Sequence, residues 1–228
     1  MALPIAFKHW ESREAAAEGL AFAIHQALAD AIRADGVASA ALAGGTTPGP
    51  MFDCLGRMAL AWPRVSILPS DERCVPEDHP RSNARLLRET LLKGPAEAAR
   101  LIPLAPGGEA PPPEGPPGLA AALPLTVCMV GMGEDMHTAS LFPGADRLAE
   151  ALAPGAPPVV PIEAPGAAEP RVTLSVPALT SASHIHVLIF GPAKRAALDK
   201  AMQDGPTEEA PIRALLRSGR PVTVHYAD

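Results

Sequence analysis

Residues 125–144 read LTVCMVGMGEDMHTASLFPG, and this stretch decides the fold. Its first part, 125–130, is an apolar run that predicts a buried strand, and we expect Thr138 to begin a helix. Between them, glycines bound a loop that places two carboxylates and one imidazole within four residues. Open α/β sheets usually bind their ligand where a strand ends in such a loop before a helix. The stretch therefore predicts an α/β fold with a functional site at 131–137.

The rest of the chain alternates between segments with strand character and segments with helix character. Short apolar runs predict strands over 37–43, 64–68, 125–130, 171–175, 185–190 and 222–224, with a shorter one at 159–160. Capping residues and apolar periodicity predict helices over 11–35, 48–58, 82–92 and 210–217, and one that ends at Met202. This alternation is typical of a mostly parallel sheet with helices on both faces.

Length and composition predict one domain. The chain has 228 residues, of which 47% are hydrophobic and 19% charged. That length suits one α/β domain with a substantial core, and the Pro-rich stretch 103–118 is too short to be a domain linker. We expect a single domain over 1–228, as a monomer or a weak homodimer.

Charge and hydropathy narrow the range of partners. The formal net charge is −6, and no block of Lys or Arg interleaves with aromatic residues, so we expect no nucleic-acid partner. No apolar run reaches the roughly 20 residues that cross a bilayer, so we expect no membrane association. The three cysteines, an odd number without paired spacing, favour a reducing cytoplasm over a disulfide-linked fold. Charged residues occur near the start, such as Lys8 and Glu11, so we expect no signal peptide.

A glycine- and threonine-rich turn has the composition of a phosphate site. Gly44, Gly45, Thr46 and Thr47 follow the strand predicted over 37–43 and precede a helix. Glycines let the backbone approach a ligand, the hydroxyls can donate, and a helix N-terminus offers free N–H groups. The stretch is neither a Walker loop, which needs a Lys, nor a dinucleotide-binding fingerprint. It predicts either a phosphate-binding turn or a turn that only caps the helix.

Further charged residues fall at strand ends, which a parallel sheet brings to one edge. Arg171 and Lys194 can bind the oxygens of a phosphate, Arg as a fork and Lys as a point charge. Taken alone, each of these cations is more often a solvated surface group. Asp71 and Arg73 belong to a charged triplet that is either part of the site or a local salt bridge in a turn.

His137 is the natural acid–base candidate, because imidazole exchanges a proton near neutral pH. Asp135 could orient its ring or hold a ligand hydroxyl. His184 and His186 lack the further ligands of a metal site, so we expect no metal and interpret both as sheet-surface histidines. Ser140 lies too close to His137 in sequence to form a serine triad with it.

Several blocks of the sequence have the order and spacing of the sequence blocks found in one protein family. The most distinctive is 131–144, which ends in Thr-Ala-Ser-Leu-Phe-Pro-Gly. The others are Gly-Gly-Thr-Thr-Pro at 44–48, Asp-Glu-Arg at 71–73, Ser-Asn at 82–83, Arg-Val-Thr-Leu at 171–174 and Gly-Pro-Ala-Lys at 191–194. Together they resemble the 6-phosphogluconolactonase family over nearly the whole chain.

The resemblance implies a Rossmann-like, doubly wound sheet, shared with glucosamine-6-phosphate deaminases and ribose-5-phosphate isomerases. It implies hydrolysis of 6-phospho-D-glucono-1,5-lactone to 6-phosphogluconate in the oxidative pentose phosphate pathway, with no cofactor and no metal. By position it makes His137 the base and Arg73 a substrate contact. The phosphate site that it implies consists of Thr46, Thr47, Arg171 and Lys194.

Two alternatives stay open. Glucosamine-6-phosphate deaminases or isomerases follow the histidine with an Asn-Glu-Pro type of segment, whereas this chain has Ser-Leu-Phe-Pro at 140–143. A non-catalytic sugar-phosphate-binding protein is the second alternative. One difference from the family supports this second alternative: the family usually has Gly where this chain has Met136. A positive φ there would cost about 1 kcal/mol or more, and the side chain could crowd the substrate.

Overall fold

The computed structural model describes residues 5–228. Within this range the strands are β1 (Ala6–His9), β2 (Ala38–Leu42), β3 (Val65–Pro69), β4 (Asp71–Arg73), β5 (Arg100–Leu101), β6 (Val127–Gly131), β7 (Val159–Ile162), β8 (Arg171–Leu174), β9 (His184–Phe190) and β10 (Val222–Ala227). The α-helices of the same range are α1 (Arg13–Asp35), α2 (Gly49–Gly56), α3 (Asn83–Thr90), α4 (Leu119–Ala122), α5 (Leu148–Leu152), α6 (Val176–Leu179), α7 (Pro192–Met202) and α8 (Ile212–Leu216).

Two sheets position the site. The larger has seven parallel strands in the order β1-β10-β9-β6-β2-β3-β5. The smaller is antiparallel, in the order β4-β8-β7. Because the strands of the large sheet run in one direction, the segments that follow β2, β6 and β9 meet at one edge. Only Ser70 separates β3 from β4, so the small sheet joins that same edge.

Apolar side chains cover both faces of the large sheet. On β2, Ala41 packs in a cluster with Leu198 of α7 and Ile212 of α8. Its neighbour Leu42 packs in a second cluster with Leu20 of α1. Consecutive residues of a strand point to opposite faces, so helices lie on each side of the sheet. This confirms the predicted α/β fold with a mostly parallel sheet and helices on both faces.

Helix α1 forms where the sequence predicted a helix over 11–35. The hydroxyl of Ser12 accepts from the N–H of Ala15 at 3.1 Å and so caps the first turn. The buried face carries residues such as Ile24, spaced for a helix packed against a sheet. Gly36 ends the helix with a φ of 80°, in the left-handed region that favours glycine.

The helix expected to begin at Thr138 is absent, and this prediction is wrong. Thr138 instead pairs with Leu141 in an isolated antiparallel bridge. Ala139 between them has a φ of 49°, which a right-handed helix does not allow. The N–H of Ser140 then donates to the hydroxyl of Thr173 on β8 at 3.4 Å. The segment is a tight turn tied to the small sheet.

Three short strands, β1, β4 and β5, were not predicted. They have between two and four residues, too few to show the alternation that marks a strand in sequence. Of the two alternatives for 71–73, the local salt bridge in a turn is wrong, because these residues form β4 and pair with β8 over the whole length of β4.

The interpretation of His186 as a sheet-surface residue is also wrong. Its side chain is buried, and its Nδ1 lies 3.2 Å from Nε2 of His225 on β10. Helix α1 contacts both β9 and β10, and Trp10 stacks on the ring of His225 with centroids 6.0 Å apart. Burial lowers the pKa of His186 to about 3 and that of His225 to about 4, and the positive charge of Lys8 adds to both effects. His184, at the start of β9, is exposed as interpreted.

Acid is therefore expected to destabilise the protein through these two histidines. Both lose protons on folding, since their pKa values fall from 6.5 to about 3 and about 4. The unfolded chain binds more protons below pH 6.5, so the free energy of unfolding decreases as the pH falls through this window. Each histidine contributes a slope of about 1.4 kcal/mol per pH unit. Urea unfolding at a series of pH values should show a shallower decline in His186→Asn than in the wild type.

The matched control for this experiment is His184→Asn, on the same strand but exposed. It should keep the wild-type slope. Equal slopes in the wild type and both variants would contradict the assignment of the acid sensitivity to the buried pair.

Candidate active site

A cavity of about 300 Å³ lies at the edge of the large sheet where its strands end. Its walls come from the segments that follow β2, β6 and β9, and from the paired strands β4 and β8. The predicted site residues that line it are Gly44, Gly45, Thr46, Thr47, Asp71, Arg73, His137, Arg171 and Lys194. Asp135 does not line the cavity but contacts His137. The fold thus brings into one place groups that lie far apart in sequence.

The turn after β2 exposes Thr46 and Thr47 at the start of α2. Gly45 has a φ of 89°, which favours glycine. Gly44 is glycine for a different reason, because a Cβ there would lie 1.9 Å from Oδ1 of the buried Asn83. Asn83 itself lines the cavity, and it was missed as a site residue. The two glycines let the turn close against Asn83, and the hydroxyls of Thr46 and Thr47 stay accessible.

Two arginines are cross-strand neighbours in the small sheet. Arg73 of β4 lies directly opposite Arg171 of β8, and both line the cavity. Arg73 Nη1 donates to the carbonyl of Arg81 at 2.6 Å, and Arg171 Nη1 lies 3.8 Å from Oδ2 of Asp71. Burial lowers the pKa of Arg171, and the Asp71 carboxylate opposes this shift. Like charges opposite each other repel, so an anion in the cavity would offset their repulsion.

Hydroxyl groups hold the Asp71 carboxylate in place. Ser140 Oγ donates to Asp71 Oδ2 at 2.6 Å, and Ser70 Oγ donates to Oδ1 at 3.2 Å. Arg171 Nη1 donates in turn to Ser140 Oγ at 3.4 Å. Ser140 is therefore a link between Asp71 and Arg171 that sequence reasoning missed, since it was considered only as a nucleophile. Its position inside the block 131–144 was the available signal.

Glu72, the middle residue of the charged triplet, does not line the cavity. Alternate residues of a strand point to opposite sides, so Asp71 and Arg73 share the cavity side and Glu72 does not. Its carboxylate accepts from the backbone N–H groups of Asn83 at 2.8 Å and Ala84 at 2.7 Å. Burial raises the pKa of Glu72, and these backbone donors oppose the shift. Glu72 therefore anchors the start of α3.

Lys194 supplies a third cation from the first turn of α7. It follows Gly191, whose φ of 82° turns the chain from β9 into the helix. Lys194 has no carboxylate within salt-bridge distance among residues 5–228. Its neighbour Arg195 instead pairs with Asp199 at 3.0 Å on the exposed side of the helix.

His137 is held by a carboxylate and by an aromatic ring. Its Nδ1 lies 2.5 Å from Oδ1 of Asp135, and its ring stacks on Phe142 with centroids 4.0 Å apart. Because a carboxylate only accepts, we assign the proton to Nδ1, which leaves Nε2 able to accept a proton. Gly133 makes room for this pair, since a Cβ there would lie 2.2 Å from Nδ1 and 2.4 Å from Oδ1 of Asp135.

Met136 stands where the family usually has glycine. Its φ is 66°, in the positive range that is strained for a residue with a side chain. Its side chain, however, is buried in the apolar core and does not line the cavity. The expectation that it could crowd a substrate is therefore wrong. Its backbone is tied on both sides, because its N–H donates to Gly133 at 3.0 Å and its carbonyl accepts from Ile212 at 3.2 Å. These contacts hold the strained residue in place.

Two further properties concern the described range as a whole. Within residues 5–228, no group of three or more His, Cys, Asp or Glu side chains is arranged to hold a metal ion. None of the helices there combines the length and the apolar character needed to cross a bilayer.

Fold and site together define the class of protein: an open α/β fold whose cavity is lined by three cationic side chains and by an imidazole that is paired with a carboxylate. The family model for glucosamine-6-phosphate isomerases/6-phosphogluconolactonase matches residues 11–224, and the chain belongs to this family. The match confirms the family that the sequence blocks resembled.

Individual relatives agree over nearly the full length. The 6-phosphogluconolactonase of Rhizobium meliloti (strain 1021) is 42% identical over 226 residues, which cover 96% of this chain and 97% of that protein. The 6-phosphogluconolactonase of Mesorhizobium japonicum is 42% identical over 221 residues, which cover 92% and 90% of the two chains. The crystal structure of a 6-phosphogluconolactonase from Shewanella baltica OS155 matches with a TM-score of 0.92 and 31% identity, covering 100% of both chains.

Proposed function

We propose that this protein hydrolyses 6-phospho-D-glucono-1,5-lactone to 6-phospho-D-gluconate, a step of the oxidative pentose phosphate pathway. The observation that carries the proposal is a single cavity lined by two guanidinium groups, an ammonium group and an imidazole. A phosphorylated lactone has the two matching parts, a dianion and an ester carbonyl. The relatives named 6-phosphogluconolactonase support the same substrate.

Binding begins with the phosphate. We propose that Thr46 and Thr47 donate hydrogen bonds to its oxygens, while Arg171 and Lys194 supply positive charge. Each charge-assisted hydrogen bond contributes about 1.5–3 kcal/mol. Asp71 accepts a hydrogen bond from a hydroxyl of the sugar and also braces Arg171. The anchored phosphate then holds the lactone carbonyl beside the imidazole.

His137 acts as the general base. Its Nε2 removes a proton from water as the water oxygen attacks C1, and Asp135 stabilises the imidazolium that forms. Arg73 donates to the developing oxyanion. The bond from C1 to the ring oxygen then breaks, and the imidazolium returns its proton to that oxygen, which yields the open acid. General-base catalysis provides about 10²–10⁴-fold and an oxyanion donor about 10²–10³-fold, which suffices for a lactone that also opens unaided in water.

The phosphate turn gives a prediction with a matched pair of glycines. We expect Gly44→Ala to lower kcat/KM by about tenfold or more, because the new methyl group displaces the Asn83 amide from the cavity wall. That amide donates to the carbonyl of Asp71 at 2.7 Å, so the disturbance spreads to β4. Steady-state kinetics with fresh lactone measures the effect.

Gly49→Ala is the control for this variant. A Cβ at Gly49 meets no atom within 4 Å, and this glycine does not have a positive φ. We expect kcat/KM within about twofold of the wild type. A Gly44→Ala enzyme as active as the control would contradict the close packing of the turn on Asn83.

The activity itself is tested by stopped-flow measurement of acid release from freshly generated lactone, corrected for spontaneous opening. We expect the protein to accelerate opening far above the uncatalysed rate. Ammonia release from glucosamine 6-phosphate would contradict the proposal in favour of a deaminase. Tight binding of 6-phosphogluconate without rate enhancement would contradict it in favour of a sugar-phosphate-binding protein.

We also propose that the enzyme works in the cytoplasm as a monomer or weak homodimer. In the part of the chain that the structure describes, Cys54, Cys74 and Cys128 are free thiols, which supports a reducing compartment. Large hydrophobic side chains exposed in that part are few: Phe7, Phe22, Val37 and Met202. Few exposed apolar side chains support a weak association at most.

A further inference from the structure

Phe142 lies against the candidate base without lining the cavity. Its ring stacks on that of His137, with centroids 4.0 Å apart and planes inclined by 25°. The ring is half-buried and packs on the larger apolar core. The reaction proposed above gives Phe142 no role, so the close stacking calls for another explanation.

The imidazole needs more than its one side-chain hydrogen bond. Asp135 holds Nδ1, but the Asp135 side chain is itself 51% exposed, so water competes for this contact. A single bond to Nδ1 also leaves the ring free to pivot about that contact. A flat surface against the imidazole removes this freedom, and Phe142 supplies it.

The backbone around Phe142 is well suited to that task. Its N–H donates to the carbonyl of Ser140 at 3.1 Å, and its carbonyl accepts from Ala145 at 3.1 Å. The preceding residue, Leu141, is fully buried and closes the bridge to Thr138. The ring therefore projects from a segment fixed by packing on the core.

Phe142 also contacts the phosphate anchor. The guanidinium of Arg171 lies 5.3 Å from the centroid of the Phe142 ring, within the range of a cation–π contact. One ring thus touches both the cation that would hold the phosphate and the imidazole that would activate water. It can set the separation between these two groups, on which the alignment of the lactone carbonyl depends.

We propose that Phe142 is a positioning residue, which holds the His137 imidazole with Nε2 toward the cavity at a set distance from Arg171. This inference rests on the proposed role of His137 as general base. It predicts that the aromatic ring matters for turnover more than for substrate binding, and that its effect passes through the imidazole.

The test compares Phe142→Leu and Phe142→Tyr with the wild type. We expect Phe142→Leu to lower kcat by about tenfold and to change KM by less than about threefold, because misaligned groups slow chemistry more than binding. Phe142→Tyr keeps the ring and should restore kcat to within about twofold of the wild type. Thermal unfolding of each variant establishes that it is folded, and Phe142→Met replaces Phe142→Leu if the latter does not fold.

A double variant separates positioning from general damage. In a His137→Ala background, Phe142→Leu should cause almost no further loss of kcat, since the group that it positions is gone. Phe190→Leu is the matched control. Phe190 also lies 5.3 Å from a guanidinium, that of Arg13, but touches no site histidine, so its loss should leave kcat within about twofold.

The outcomes distinguish this inference from the function on which it rests. An unchanged kcat in Phe142→Leu, or a tenfold loss that persists in the His137→Ala background, would overturn the positioning role. An unchanged kcat in His137→Ala alone would overturn the general-base proposal, and the positioning role with it. Loss on removal of the ring, rescue by tyrosine and non-additivity with His137→Ala would together support the inference.

Discussion

Replacing His137 by alanine should lower kcat by about 100-fold or more, because the substitution removes the group that takes the proton from water. The imidazole lines the cavity, and its Nδ1 is held by Asp135 at 2.5 Å, so Nε2 is the atom that would act. Product affinity should change little, since the phosphate contacts remain. Stopped-flow kinetics with fresh lactone and calorimetric titration with 6-phosphogluconate measure the two quantities.

His184→Ala is the control, because His184 is an exposed histidine on β9 that does not line the cavity. Its kcat should stay at the wild-type value. If His137→Ala retained wild-type turnover while still binding 6-phosphogluconate, the base would have to be another group, and the chemistry proposed for this cavity would be wrong.

Arg171→Met should raise KM for the phosphorylated lactone by about 10- to 100-fold, equivalent to the loss of one charge-assisted hydrogen bond. Methionine keeps an unbranched apolar stem but removes the charge, so the packing around β8 is largely retained. The affinity for 6-phosphogluconate should fall by a similar factor, since the same contact binds the product. Steady-state kinetics and calorimetry check both expectations.

The unphosphorylated lactone provides a sharp internal control. Glucono-1,5-lactone lacks the anion, so Arg171→Met and the wild type should hydrolyse it with kcat/KM values within about twofold of each other. Arg195→Met, which removes an exposed cation paired with Asp199, should leave both substrates unaffected. An equal loss on both lactones in Arg171→Met would show that this side chain supports the structure of the cavity and does not bind phosphate.

The parts of the fold that the sequence predicted correctly depend on neighbours in the chain. The apolar run 125–130 predicted β6, because a strand that is buried on both faces needs apolar residues at successive positions. Helix α1 was predicted from its Ser12 cap, its periodic apolar residues and Gly36 at its end. In each case the determinants lie within the element or next to it.

The predictions that failed depend on distant residues. The turn at 138–141, where a helix was expected, is held by a hydrogen bond from Ser140 to Thr173 on another strand. His186 was interpreted as exposed because its strand alone does not reveal that it is buried against His225 of β10. Local sequence pattern carries no information about either contact.

The residues of the candidate site also fall into those that the sequence predicted and those that only tertiary contacts reveal. Charged and hydroxyl residues at the predicted strand ends were identified from the sequence, since parallel strands bring their ends to one edge. Asn83, Ser140 and Phe142 were not identified as site residues. Each acts by contacting a residue remote in sequence or in an adjoining turn: the Gly44 turn, Asp71 and His137.

The sequence by itself determined the longer strands and helices, the groups available at the strand ends, and the family to which the chain is similar. Only the tertiary structure decided how the strained backbone at Met136 is accommodated. The surroundings of a residue with positive φ determine where its side chain lies. Here the N–H of Ile212 donates to the Met136 carbonyl, and the Met136 side chain packs in the apolar core and not in the cavity. The same packing of distant segments orients the imidazole and pairs the two arginines, because side-chain direction depends on contacts that close only when the chain has folded.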